Sequence, residues 1–363
     1  METKIKLKKI AFCITCMNRL CHLQETLEKN IQDNYLPDEV EFVLLDYNST
    51  DSLEQWVQQN MQSYINSGIL VYYKTCEPEH YRRSHSRNMV FCLANAEILC
   101  NLDADNFLGE GFASFMIDEF NKNDRIFYTS NAGGGDIVGR VCVRKEDFMA
   151  IKGYNETIQS YGFEDTDLFI RLDKHGLIHK EFDNPDFFNC VIHSDEERVK
   201  DEFIAKNTEK MYISYINPYT SYILLLYKDF TFARYTIIDN MHLNLYTDFT
   251  KSENKFLNEK SLIVLGNDFQ QGTWHKNNDK ITLVQEDYTT DFNHDAPKFL
   301  HQNQTCYAIT DNDFQTQIFL ILSLAINLHQ VLQQQNKEKP INEQGFGKGI
   351  VFKNFNTSNA INL

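Results

Sequence analysis

Long unbroken apolar runs are lacking: the most hydrophobic stretch, IFLILSLAINL at 318–328, is expected to be too short to span a bilayer. The opening METKIKLKKIAFCITC begins basic, but its short apolar run is soon interrupted, and it lacks a signal-peptide core and cleavage site. Positive charge is also in short supply. Lys and Arg number 35 against 51 Asp and Glu, a net charge of -16. That balance argues against a nucleic-acid surface, which needs a basic patch. It disfavours simple attraction to anionic lipid, leaving only local patches. An anionic ligand would therefore need a cation or a few well-placed Arg and Lys side chains to enter. Proline is scarce, at 6, and with 42% hydrophobic and 24% charged residues the composition is that of a soluble globular protein. The 9 cysteines are odd in number and sit in apolar contexts such as AFCITC and EILCN, the pattern of reduced, buried thiols in a cytoplasmic protein. CITC at 13–16 has the spacing of redox and zinc sites. It lies inside an expected strand, however, where positions three apart face opposite sides.

A chain of 363 residues is expected to form two domains. The first half alternates strand-like segments at 8–16, 41–46, 69–75 and 97–102 with amphipathic helical segments near 20–30, 52–66 and 84–95. That order implies an α/β fold with a mostly parallel central sheet and helices on both faces. Ligands bind such sheets beyond the carboxyl ends of the strands, where polar residues cluster: TCMNR at 15–19, DYNSTD at 46–51 and DADN at 103–106. Further on, the three glycines at 133–135 permit an unusual turn or a close backbone approach. GRVCVRKEDF reads as a strand. EDTDLFIRLDKHG reads as a helix with an acidic first turn and Gly176 as its stop. FFNCVIH reads as a short strand ending at His193. Composition shifts near residue 200, where KDEFIAKNTEK looks helical and linker-like. Beyond it lie strands within 221–239 and 261–287 and a long helix at about 312–336. The expected division is an α/β domain at 1–198 and a smaller β-rich and helical domain at 199–363.

NLDADNF at 101–107 places two carboxylates, Asp103 and Asp105, at the end of an apolar strand. An ionised carboxylate there is costly unless paired. If the strand continued, the two would project to the same side, which suits a shared cation; an Asp-rich turn is the plain alternative. Asp46 and the Glu164/Asp165 pair also lie at element ends.

Together LLDYNSTD, NLDADNF and GYNETIQSYGFEDTDLFIRL resemble the nucleotide-binding, DxD and acceptor-side motifs of GT-A glycosyltransferases (a Rossmann-like fold), over about residues 8–195. The chain looks family 2-like, and its last motif is similar to the signature of the galactosyltransferase and chondroitin-polymerase type. The resemblance implies a UDP-sugar donor whose diphosphate leaving group is held by Mn2+ or Mg2+, a Lewis acid taking hard oxygen ligands. It implies Asp105 as a direct metal ligand, Asp103 toward the ribose or the metal, and His193 completing the site. It assigns Thr15, Arg19, Asp46, Arg87, Asp103 and Gly139 to donor binding. Asp46 would read the base, although an Asp opening a turn before NST is an equally simple account. The family often has a second acid there, where this chain has Tyr47. Arg87, in YRRSHSRNMVF, would grip the diphosphate or sugar with its planar fork; the alternative makes Arg82, Arg83 and Arg87 a solvated helix start. Asp165 would be the catalytic base that takes the acceptor hydroxyl's proton, and Glu164 would touch a sugar. Acids at a helix N-terminus are also favoured by the macrodipole alone. Where the family has Trp-Gly-Gly before this pair, the chain has YGF. Tyr161 would stand in for the Trp as a sugar platform, and Phe163 replaces a glycine.

The implied reaction is inverting, metal-dependent transfer of a galactose, glucose or N-acetylhexosamine type sugar to a glycan or lipid-linked acceptor, in bacterial surface polysaccharide synthesis. Peripheral association with the inner membrane face and a homodimer are both compatible with the composition. A sugar nucleotidyltransferase would need a glycine-rich basic loop after the first strand, and ITCMNRLCHL has no glycine. An inactive carbohydrate-binding scaffold of the same fold is the other alternative.

Overall fold

A computed structural model describes residues 7–130, 137–239, 263–286, 288–337 and 340–363. The three glycines at 133–135 lie outside them. The chain divides into two compact units. The first takes its residues from Met1–Thr157, Glu164–His193 and Pro340–Leu363, the second from Ile158–Phe163 and Ser194–Lys339.

In the first unit, β1 (Lys8–Cys16) leads to α1 (Leu20–Asp33), β2 (Val40–Tyr47), α2 (Leu53–Asn60), α3 (Gln62–Ser67), β3 (Leu70–Thr75), α4 (Arg83–Leu93) and β4 (Ala96–Asn101). Next come α5 (Phe112–Lys122), β5 (Ile126–Ser130), β6 (Val141–Arg144), α6 (Lys145–Ala150), α7 (Glu164–Lys174) and β7 (Ile178–Phe182). The sheet order is β18-β17-β3-β2-β1-β4-β6-β5-β7, with β17 (Ile350–Lys353) and β18 (Ala360–Asn362) at one edge. β3, β2, β1 and β4 are mutually parallel, while β6 and the strands from the chain's end pair antiparallel. The sheet is thus parallel at its centre and mixed at its flanks.

Strands β1 and β2 are buried along nearly their whole length, as central parallel strands covered on both faces must be. On one face Ile10, Phe12 and Ile14 meet Leu23 and Leu27 of α1, Val57 of α2 and Phe112 and Met116 of α5. On the other, α4 and α6 meet through Phe91 and Phe148, ring centres 4.6 Å apart. Each fully buried side chain of this kind contributes roughly 1.5–3 kcal/mol. Cys16 belongs to the first core and Cys13 does not, as strand alternation requires, and both thiols are free.

Three expectations are corrected. GRVCVRKEDF is a short strand that turns directly into α6 at Lys145. FFNCVIH forms no strand: Asn184 caps a 3-10 turn at Pro185–Phe187, because proline fits a first helical position, and only an isolated bridge between Asn106 and Cys190 follows. The chain also does not leave the first unit for good near 198. Residues 340–363 return to it, β17 pairing with β3 through Phe352 and Lys74.

The second unit contains α8 (Asp195–Val199), α9 (Phe203–Asn207), β8 (Thr208–Asn217), β9 (Thr220–Tyr227), β10 (Thr231–Asp239), β11 (Ile263–Leu265), β12 (Gln270–Asn277) and β13 (Lys280–Gln285). It continues with β14 (Tyr288–Asn293), β15 (Lys298–His301), β16 (Gln304–Ala308) and α10 (Asn312–Lys337). Its antiparallel sheet runs β14-β13-β12-β10-β9-β8-β16-β15, with β11 against β10. KDEFIAKNTEK becomes α9 and then the start of β8. Ile223 and Leu225 face Ile318, Phe319 and Leu322 of α10. Leu224 and Leu226 face Trp274, Phe292 and Phe299. Both faces of β9 are covered, hence its unbroken apolar run. Among the described residues α10 is the one helix long and apolar enough, by length and composition, to cross a membrane. In the structure its apolar side chains join this core.

Candidate active site

The loops beyond the carboxyl ends of β1 and β2 are laced together. Ser49 Oγ accepts from the Asn18 N–H, Asn18 Oδ1 accepts from the Thr50 N–H, and Asp51 Oδ2 accepts from the Leu20 N–H. Asn18 and Asn48 hold left-handed φ of 56° and 61°, which asparagine tolerates. Thr15 Oγ1 shares a 2.6 Å hydrogen bond with Tyr81 Oη, and Arg19 Nη1 lies 3.4 Å from His22 Nδ1. Asp46 lies near the end of β2. It is fully buried, Oδ1 accepting from the Ser49 N–H at 2.8 Å and Oδ2 from Tyr72 Oη at 2.7 Å. Burial pushes its carboxyl above the ordinary range. Here Asp46 orders the turn that follows β2. Beside it a cavity of about 330 Å3, lined by Tyr47, Thr75, Glu77, Arg82, His85 and Lys348 among others, opens beyond β2 and β3.

The acidic residues gather around one arginine. Arg87 of α4 has 2% of its side chain exposed, and its Nη1 donates to Glu164 Oε1 at 3.0 Å and to Asp165 Oδ1 at 2.7 Å. Its Nη2 donates to Asp103 Oδ1 at 3.2 Å. The Tyr154 ring lies 5.5 Å from the guanidinium. Arg82 and Arg83, by contrast, stand at the start of α4. Asn88 fixes the GYNE loop, donating to the Tyr154 carbonyl and Glu156 and accepting from the Tyr154 N–H. At Gly153 the φ is +66° and a Cβ would lie 2.5 Å from Asn88 Oδ1, so only glycine fits.

One cation among three carboxylates sets the electrostatics. Burial, against the pull of Arg87 and reinforced by Glu164 and Asp103, pushes the Asp165 carboxyl up to about 7. Burial opposes ionisation of Asp103 too, but Arg87 and Arg83 prevail and hold its pKa below the ordinary value. Glu164 Oε2 and Tyr154 Oη are buried polar atoms with no hydrogen-bond partner among the described residues. Gly139 closes the group. Its carbonyl accepts from Asn101 Nδ2, and an added Cβ would stand 3.0 Å from Arg87 Nη2 and 3.1 Å from both Asp103 Oδ2 and Asp165 Oδ2.

β4 ends at Asn101, and Asp103 to Asn106 form a turn closed by the Asn106 N–H on the Asp103 carbonyl at 3.0 Å. Strand alternation therefore does not align the two aspartates. Asp103 belongs to the Arg87 group, whereas Asp105 Oδ2 is hydrogen-bonded to His193 Nε2 at 2.9 Å. Both these side chains are largely buried, at 13% and 5% exposure, and the His22 ring lies 5.3 Å from that of His193. Asp105 and His193 thus place a hard carboxylate oxygen beside an imidazole nitrogen, a donor set that fits a divalent cation. In the second unit, Tyr161 is held by Arg198, which donates to its hydroxyl at 3.0 Å and covers its ring. Phe163 has φ of 67°, a conformation that a glycine would adopt without strain.

Arg140, Asn101 and Tyr154 were not expected in this neighbourhood. Arg140 follows Gly139 directly, which was the one available signal.

Residues 11–182 match the model of the family described as Glycosyl transferase family 2. No curated protein sequence matches. Among solved structures, the mannosyltransferase PcManGT from Pyrobaculum calidifontis, in complex with GDP-Man and Mn2+, is similar at TM-score 0.42 and 15% identity over 50% of this chain. The match spans 58% of that protein's length. TarS from S. aureus aligns at TM-score 0.43 and 13% identity, over 51% of this chain and 37% of its own. A Drosophila galactosyltransferase complexed with manganese, UDP-Gal and xylobiose aligns at 0.37 and 14%, over 54% and 75%. The segment similar to glycosyl transferase family 2, residues 11–182, is the one that carries the Arg87 group and the DxD turn.

Proposed function

We propose that this protein is a metal-dependent, inverting glycosyltransferase that moves a hexose or N-acetylhexosamine from a UDP-sugar to a glycan or lipid-linked acceptor in surface polysaccharide synthesis. The observation that carries this reading is Arg87 gathering Asp103, Glu164 and Asp165 beside Gly139, with Asp105 of the same DxD turn paired to His193. The family match over the segment supports it.

Asp105 and His193 would hold Mn2+ or Mg2+, with Asp103 beside them. When bound, the ion supplies Lewis-acid stabilisation of the diphosphate leaving group. The chain's own residues do the rest. Asp165 accepts the acceptor hydroxyl's proton as its oxygen attacks the anomeric carbon. A carboxyl raised to about 7 is a stronger base than an ordinary one and better matched to neutral pH. Arg87 fixes Asp165 through Oδ1 and leaves Oδ2 toward the space that Gly139 keeps clear. The orphaned Glu164 Oε2 is available to a sugar hydroxyl, since a buried acceptor left unpaired is costly.

The test is a screen of common nucleotide-sugars with and without Mn2+, read by mass spectrometry for donor hydrolysis and transfer, beside thermal midpoints with UDP plus Mn2+. Hydrolysis of one UDP-sugar that needs the metal, with a raised midpoint, is the expected result. No midpoint shift with any nucleotide and metal would overturn the reading.

A further inference from the structure

Arg140 is buried to 1% exposure, and among the described residues it has no carboxylate partner. Isolated charge in a protein interior is expensive, and a core that needed only volume would be served by Leu or Met. Its guanidinium instead spans two irregular segments. Nη1 donates to the Phe187 carbonyl at 2.6 Å, and Nη2 donates to the Phe107 carbonyl at 2.8 Å and lies 3.4 Å from Asn106 Oδ1. The rings of Phe112 and Phe182 lie 5.5 Å and 5.8 Å from it.

The two segments carry the DxD turn and His193. Between them there is no regular ladder, only the isolated Asn106–Cys190 bridge, which consists of two backbone bonds, the Phe107 N–H to the Asn189 carbonyl and the Val191 N–H to the Asp105 carbonyl. Few backbone bonds therefore fix the approach of Asp105 to His193. Hydrogen bonds from a charged donor are about twice as strong as neutral ones, and a planar fork holds two acceptors at a set separation.

We infer that Arg140 is a positioning residue for the metal ligands: by gripping the Phe107 and Phe187 carbonyls it sets the distance between Asp105 and His193. This rests on the metal-dependent reading proposed above. Residues that orient metal ligands typically change affinity 10–100-fold when altered.

The experiment titrates Mn2+ into wild type, Arg140→Lys, Arg140→Gln, His193→Ala and the Arg140→Lys/His193→Ala double variant, following free Mn2+ by electron paramagnetic resonance. Thermal midpoints in EDTA are recorded alongside. The expected result is a dissociation constant raised about tenfold or more in Arg140→Lys, whose single ammonium cannot serve both carbonyls at the same spacing. The double variant should bind no more weakly than His193→Ala alone, because the two act through one site. Should Arg140→Gln fail to fold, the lysine variant decides. Wild-type affinity in Arg140→Lys, or fully additive losses in the double variant, would overturn the inference while leaving the function standing. Absence of Mn2+ binding by wild type would remove both.

Discussion

Arg87 Nη1 donates to Asp165 Oδ1 over 2.7 Å while also reaching Glu164 at 3.0 Å. One buried nitrogen therefore holds the proposed base and its neighbour together at the start of α7.

Asp165→Asn keeps that contact's shape and removes the basic charge. Transfer should fall by about 10^2 to 10^4, with UDP and Mn2+ binding retained by calorimetry. Near-normal transfer in the variant would exclude Asp165 as the base.

Replacing Arg87 with Met leaves Asp103, Glu164 and Asp165 facing one another without a cation. Breaking a buried ion group by removing one partner costs about 3–5 kcal/mol. Chemical denaturation should show a loss of that size, and Arg87→Lys a smaller one. A stability change below about 1 kcal/mol for the Met variant would mean that the group relaxes into solvent.

Gly139→Ala adds one methyl 3.0–3.1 Å from Arg87 and two carboxylates. Thermal stability should change little, since that carbon faces side-chain ends that can shift. UDP binding with Mn2+ should weaken several-fold. Unchanged binding would show that the space over Gly139 is not used.

Glu119 provides a pH test away from the site. Hydrogen bonds from Lys122 and Tyr128 lead the causes, with Lys180 adding to them, and together hold its carboxyl at about 2. Its pKa is lower folded than unfolded, so its stabilisation is complete above the ordinary glutamate value of about 4.3 and lost as pH falls from there toward 2. Glu119→Gln should be less stable than wild type at neutral pH, and denaturation midpoints should converge near pH 2. A constant difference across that range would contradict the assignment.

The parallel centre of the first sheet was legible because strands buried on both faces need unbroken apolar runs, as in AFCITC and EFVLL. The helix opening at Glu164 was legible from its acids and Gly176. Less visible were features set by distant contacts. Asp103 and Asp105 were read on strand alternation, yet β4 stops at Asn101 and a turn gives each a different partner. The bond from Tyr72 to Asp46 is equally invisible locally, because Tyr72 comes from the adjacent strand. Arg140 is marked in the sequence only by following Gly139, since its acceptors are backbone carbonyls remote in the chain. The strand at 350–353 lies far beyond the alternating region, so nothing nearby marked its pairing with β3.

That last pairing has a consequence for how the protein is made. Tyr72 donates its N–H to Asn354 Oδ1 across 282 positions, so the β3 border stays bare until residues 350–354 have left the ribosome. Domains ordinarily mature in order of synthesis; here the first unit takes its edge strands from residues made after the second unit. An exposed strand border is a template for wrong pairing, and a nascent chain stalled after residue 339 would present one.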